Sequence, residues 1–213
     1  MTSFRKPLAI VWLLIMAAIS VPVKALSNPN PDLLSGLLGN LISTDKVSVA
    51  SLAGSWSYDG PAVTFKSDNL LKKAGGVAAA TAAEEKLAPY YRKAGLDKLT
   101  LTVNSDSTFV MKVKTIKLNG KFESADEGSA ANMKMVFDLG PLKAISSLTA
   151  VDAYITMSGS NKMGITFDVS KLIVIIRTLS SISGNSTIKG VSSLLEQYDG
   201  VTAGFEFKRD KKQ

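Results

Sequence analysis

Any chemistry done by this chain has to be done without imidazole or thiol, because the sequence contains no His and no Cys. That excludes a histidine base, a cysteine nucleophile and the usual soft or borderline metal sites. Carboxylates alone could hold calcium, yet no Asp-x-Asp-x-Asp-Gly loop occurs, and Asp126-Glu127-Gly128 reads as a solvated turn. Ser186-Thr187-Ile188-Lys189 matches a Ser-x-x-Lys nucleophile element, and Ser67-Asp68-Asn69 a Ser-Asp-Asn element. Their order is reversed and no Lys-Thr-Gly element accompanies them. Both stand where helices would begin, and helix capping accounts for them without chemistry. Gly75-Gly76 is followed by no Lys-Ser/Thr and makes no phosphate loop. No catalytic residue, no metal site and no cofactor is expected, and enzyme is the class least supported.

Two other sets of residues carry more. Gly54-Ser55-Trp56 opens a series of alternating segments, and Gly204-Phe205-Glu206-Phe207-Lys208-Arg209 ends it. Phe205, Phe207 and Arg209 share parity, so if both rings point inward the guanidinium lies on the same side at the strand's end. Over the face of Trp56 it would contribute roughly 0.5–2 kcal/mol as a cation–π contact. Gly54, Trp56 and Arg209 are therefore the candidates for closing the base of a barrel; the alternative is that Arg209 is one solvated charge among Lys208, Lys211 and Lys212. The second set is Met111, Met133, Met135, Met157 and Met163, which fall on inward parity with Phe109, Phe137 and Phe167. Met is flexible and polarizable, so a Met-lined interior adapts to varied apolar ligands. Alternatively these residues, with Phe122, simply fill a small barrel.

The elements that must position these residues follow from periodicity. Leu99, Leu101 and Val103 alternate with Thr100 and Thr102; Asn104–Ser107 makes a turn; Phe109, Met111 and Val113 alternate with Val110, Lys112 and Lys114. Ile116, Leu118, Gly120 and Phe122 continue in a new phase, which predicts a bulge or corner near Thr115. Further alternating runs end in Phe137, Met157 and Phe167. Short strands joined by tight turns predict an antiparallel meander, and closure removes its edges. The outward Lys112, Lys114, Lys117 and Lys121 read as a solvated face that discourages edge pairing. Helical insertions are expected at about 67–94 and 169–198. The first should be kinked or restarted by Pro89 and ended by Gly95. In the second, Leu172–Ile176 has strand propensity, but Leu179 and Ile182 extend a helical pattern, and a buried helix is expected. A second helix would then carry Ile188, Val191, Leu194 and Leu195.

Four segments are expected: residues 1–25, 26–50, 51–209 and a basic tail, 210–213. Arg5 and Lys6 precede an apolar run from Leu8 to Val21, and Val23-Lys24-Ala25 supplies small residues for cleavage, the pattern of a secretory signal peptide. Pro22 and the shortness of the run disfavour a spanning anchor, which needs about 20 apolar residues. Arg5, Lys6 and Lys24 are three of the 25 basic residues against 18 acidic ones, so cleavage lowers the net charge from +7 to +4. That balance does not point to nucleic acid. The leader carries a short N-terminal helix with Leu33, Leu34, Leu37, Leu38, Leu41 and Ile42 on one stripe. A secreted or periplasmic location follows, with no integral membrane span after cleavage. A chain without Cys must be held by its core alone.

The motifs together resemble a known family. Gly54-Ser55-Trp56-Ser57-Tyr58-Asp59-Gly60-Pro61-Ala62-Val63, then Phe65-Lys66-Ser67-Asp68-Asn69-Leu70-Leu71, carry the first part of the resemblance. Leu87-Ala88-Pro89-Tyr90-Tyr91, Leu99–Val103, Ser183–Thr187 and Tyr198-Asp199-Gly200 carry the rest. This combination resembles the uncharacterised lipocalin-like secreted proteins of Bacteroidetes-type bacteria over about residues 51–208. The resemblance implies a mainly β fold: a meander closed into a lipocalin- or calycin-like barrel with helical insertions. It supplies no ligand, activity or catalytic residue. Some members look like lipoproteins, and this chain lacks the Cys such anchoring needs. The expected function is a non-enzymatic container for a small apolar or amphipathic ligand. The alternative is a filled-core module for an envelope protein partner, with Tyr90, Tyr91 and the 33–42 stripe as contacts.

Overall fold

A computed structural model of the chain describes residues 47–65, 76–140, 148–179, 185–196 and 200–211. The expected signal peptide, the 33–42 stripe, the Ser67–Asn69 cap and the Ser183-Gly184 break lie outside the described residues. Eight strands run in chain order: β1 (Gly54–Phe65), β2 (Thr100–Val103), β3 (Thr108–Val113), β4 (Ile116–Ser124), β5 (Met133–Asp138), β6 (Ala150–Ser158), β7 (Lys162–Asp168) and β8 (Val201–Arg209). Each pairs antiparallel with its sequence neighbours, and β1 returns to β8 to close the barrel. The predicted meander and its closure are both present.

The period-two pattern explains the register. Leu101 faces Met111 across β2–β3, Met111 faces Leu118 across β3–β4, and Phe122 faces Met135 across β4–β5. All five are buried, whereas Thr100, Thr102, Lys112 and Lys121 between them are exposed. Local side-chain bonding then fixes the ends of particular strands. In the 104–107 turn the Asp106 carboxylate accepts from the Thr108 backbone N–H at 3.0 Å and its hydroxyl at 2.6 Å, the local bonding that makes Asp a turn residue. At the start of β5 the Asn132 side chain stands in for backbone: its Nδ2 donates to the Ile155 carbonyl at 2.7 Å and its Oδ1 accepts the Ile155 N–H at 2.8 Å.

The phase change near Thr115 is not a bulge or corner. Val113 pairs directly with Ile116, and Lys114-Thr115 is a two-residue hairpin turn with Lys114 at φ 54°. Residues flanking such a turn face the same side of the sheet. Inward parity therefore passes from odd to even numbers while two strands remain distinct.

Helices occupy the predicted insertions. A one-turn helix α1 (Val49–Leu52) precedes β1, and α2 (Gly76–Lys93) follows it. Helix α2 buries Ala80, Ala83, Leu87 and Tyr91, spaced three and four apart. It runs through Pro89 on its exposed side and stops where Gly95 takes a left-handed φ of 78° before a 3-10 turn, Leu96–Lys98. Leu172–Ile176 is helical, as the extended pattern requires: α3 (Val169–Leu179) buries Leu172, Ile173, Ile175, Ile176 and Leu179. Helix α4 (Asn185–Leu195) buries Ile188, Val191, Leu194 and Leu195. Helix α3 packs against β7 and β8 and reaches β4, while α2 packs on β1 and α4. The helical connections and the β3–β4 hairpin thus share one end of the barrel, the mouth; the turns at 104–107 and 159–161 and the end of β8 share the other, the base.

Candidate functional site

At the base, β1 and β8 bring Trp56 and Arg209 into direct register. The Arg209 guanidinium carbon lies 4.0 Å from the Trp56 ring centroid, within cation–π range. Trp56 is completely buried, and its indole Nε1 donates to the Leu52 carbonyl at 2.8 Å. Arg209 does more than cover the ring. Its Nε donates to the Ser160 carbonyl at 2.6 Å, and its two terminal nitrogens donate to Ala53 at 2.6 Å and Ser51 at 2.9 Å. The last two acceptors belong to the end of α1, whose final carbonyls have no partner within the helix. One side chain thus ties α1, the 159–161 turn and β8 together. Gly54 makes this arrangement possible. Its φ is 137°, and a Cβ there would sit 2.4 Å from an Arg209 terminal nitrogen. The spacing predicted a cation over the indole; the capping of α1 went unread, because this helix has one turn and its only local signal is the Ser48 N-cap.

The candidate interior residues come together as follows. Met111, Met133, Met135, Met163, Phe109, Phe137 and Phe167 are buried, whereas Met157, at the end of β6 opposite Met163, is half-buried. Aromatic rings form two groups. Phe109 contacts Phe122 and Phe137 at centroid distances of 5.0 and 5.4 Å, with Gly120 tucked beneath Phe109. Across the barrel Phe205 meets Tyr91, Phe167 and Phe207 at 5.7, 6.5 and 6.2 Å. Between the groups, the β5–β7 wall is lined by Met133 and Met135 beside the small Ala153, which faces Met133, and farther along by Met163, which faces Met157.

Tyr91 and Tyr90 do not stand free as partner contacts. Tyr91 is fully buried, its ring 6.3 Å from Tyr58 and 5.7 Å from Phe205. Tyr90 packs on Gly190 of α4, where a Cβ would come within 2.2 Å of the ring. Helical spacing placed both residues on α2 but gave no account of the seam α2 enters. Strand β1 pairs with β2 only from Gly54 to Ser57, and past a register shift between Tyr58 and Gly60 that edge would be bare. Glu84 of α2 covers part of it, accepting the Val63 N–H at 2.9 Å. Burial pushes the Tyr58 and Tyr91 hydroxyls up, and pushes Glu84 up too, with Glu206 adding repulsion against the help of the Val63 hydrogen bond.

A carboxyl whose folded pKa is raised contributes stability that is complete below its unfolded pKa and lost as pH climbs through the folded value. Glu84→Gln keeps an acceptor for Val63 and has no charge to bury. Its melting temperature is expected to match or exceed the parent's at neutral pH, and its advantage over the parent should shrink as pH falls through the Glu range. Glu84→Ala orphans the Val63 N–H and should cost about 1–2 kcal/mol in denaturant unfolding. An unchanged midpoint for Glu84→Ala would remove this residue's structural role. Among the described residues no three or more Asp or Glu are grouped to hold a metal, and no helix is long and apolar enough to cross a membrane.

A family model described as a lipocalin-like domain, DUF4923, matches residues 34–209. The chain belongs to that family. The match opens ahead of residue 51, where the motif resemblance begins, and so takes in part of the leader. No curated protein matches this DUF4923 chain. Among solved structures, the crystal structure of a DUF4847 family protein from Bacteroides vulgatus is similar over 76% of this chain and 95% of that one, at 12% identity and a TM-score of 0.32.

Proposed function

We propose that this DUF4923 protein is a non-enzymatic, secreted or periplasmic container that takes a small apolar or amphipathic molecule into its barrel. The observation that carries the reading is the β5–β7 wall. Flexible Met133 and Met135 stand beside Ala153, and Met163 lies farther along the same wall opposite Met157, between two groups of stiff rings. Unbranched thioether side chains can change rotamer to admit a guest where packed phenylalanines cannot. The sealed base leaves entry to the opposite end.

A second reading has its own support. The rings within each aromatic group touch one another, as they would in a barrel filled by its own side chains and serving as a scaffold for an envelope partner. Native mass spectrometry of the protein purified from its own host separates the two. The container predicts a retained small molecule whose occupancy falls in Ala153→Phe, which fills the Met wall. Unliganded protein from every growth condition, or a retained mass indifferent to Ala153→Phe, would favour the filled barrel.

A further inference from the structure

The β3–β4 hairpin at the mouth carries a charge pattern that neither the fold nor the container needs. Lys112 and Lys117 are directly paired across the two strands on the outer face, and both are exposed. Like charges in that position destabilise a sheet. The turn between them holds Lys114 at a φ of 54°, a left-handed conformation that lysine adopts only at a cost. Lys98 extends the patch, two residues before Thr100, which Lys112 faces on its other side. Neighbouring charges are already matched. Asp97 lies 3.3 Å from Lys98, and Glu123 binds Lys121 at 2.5 Å. Among the described residues Lys112, Lys114 and Lys117 make no ion pair.

On the inner side of the hairpin, opposite the paired lysines, the tip is seated against the helices. Ile116, half-buried at the tip, lines with Val113, Lys114, Thr115, Ala94 and Leu179 a pocket of about 30 Å³ between the hairpin and the ends of α2 and α3. Lys114 also leans over the end of α2, where a Cβ on Gly95 would lie 3.5 Å from its Cε and Nζ. We propose that the Lys112–Lys117 hairpin is the docking face by which the mouth of the barrel settles on a bilayer surface bearing anionic phospholipid head groups. Three lysines that make no ion pair among the described residues supply the attraction to phosphates. A nucleic-acid groove would present aromatic side chains among the cations, and this hairpin has none.

Sedimentation with vesicles of phosphatidylcholine alone, or with phosphatidylglycerol added, tests this. Parent protein should pellet with the anionic vesicles, less with the neutral ones, and should be released as salt rises from about 0.05 to 0.5 M. Lys112→Gln/Lys117→Gln should weaken the anionic component about 25-fold, about fivefold per lysine. The charge-matched control Lys86→Gln/Lys208→Gln, on α2 and at the base, should retain it. Because the hairpin variant removes a repulsion, its melting temperature should not drop, so lost binding would not be lost folding. Equal pelleting with neutral and anionic vesicles, equal loss in both double variants, or displacement by inorganic phosphate beyond that by chloride of the same ionic strength would each overturn the proposal. The same holds if single-stranded polynucleotide binds the parent more tightly than the anionic vesicles do.

Discussion

Trp56→Ala is expected to lower unfolding stability by about 3–5 kcal/mol, the usual cost of truncating a fully buried large aromatic. Two features place it toward the upper end. The indole N–H bond to Leu52 is lost, and Arg209 loses the ring it lies on. Arg209→Met should cost less, about 2–3 kcal/mol, because the Ser51 and Ser160 carbonyls lie at exposed positions and can turn to water while the Ala53 carbonyl is only part-buried. Arg209→Lys should recover little of that loss. A lysine has one ammonium to set against three separated carbonyls, and no planar face to lay on the indole. The double variant Trp56→Ala/Arg209→Met should fall short of the summed losses, since the two side chains share one contact. Guanidinium unfolding of the four proteins is the measurement. Fully additive losses would mean that the guanidinium and the indole do not cooperate in closing the base.

The alternating runs were legible because each strand buries one face, and period-two spacing is the direct imprint of that burial on sequence. Helix α3 was legible for a related reason: Leu179 carries the pattern past the length of a strand. What escaped has the opposite character. The Lys114-Thr115 hairpin contains neither Gly nor Asn, so its left-handed residue has no signature of its own. The Asn132 amide acts as backbone, which no periodicity reports. The seam between β1 and β2 depends on α2 entering it, and Glu84 looks on paper like any acid on a helix surface. At the base, the Trp56–Arg209 pairing could be inferred from parity at the two ends of the strand series. The partner carbonyls on α1 could not, because a single helical turn leaves almost no periodic trace. Interior residues were identifiable by parity as a set, but whether they line or fill the barrel depends on side-chain volumes summed around eight strands.

The strand seam β7–β8 offers the most severe single test of this fold. Strand β8 is buried on both faces from Val201 to Phe205, and within that stretch Gly204 lies opposite Thr166. A Cβ at Gly204 would stand 1.9 Å from the Ile165 carbonyl oxygen and 2.8 Å from the Thr166 Cα. Both obstacles are backbone, so no rotamer change relieves the overlap; the two strands would have to separate. Nor can the seam shift outward freely, because Thr166 and Thr202 join hydroxyls at 3.0 Å in a buried position beside it. Gly204→Ala is therefore expected to cost about 4 kcal/mol or more, in the range reserved for core disruption, and to leave little folded protein at 37 °C. Gly60→Ala is the matching control, since a Cβ there meets nothing within 4 Å and the site is on β1 of the same barrel. It should change stability by no more than about 1 kcal/mol. Circular dichroism melts of the two variants decide the matter. If Gly204→Ala melts with Gly60→Ala, then β7 and β8 do not approach as closely as a sealed barrel demands, and the tight closure that gives Met133, Met135 and Met163 a common interior fails with it.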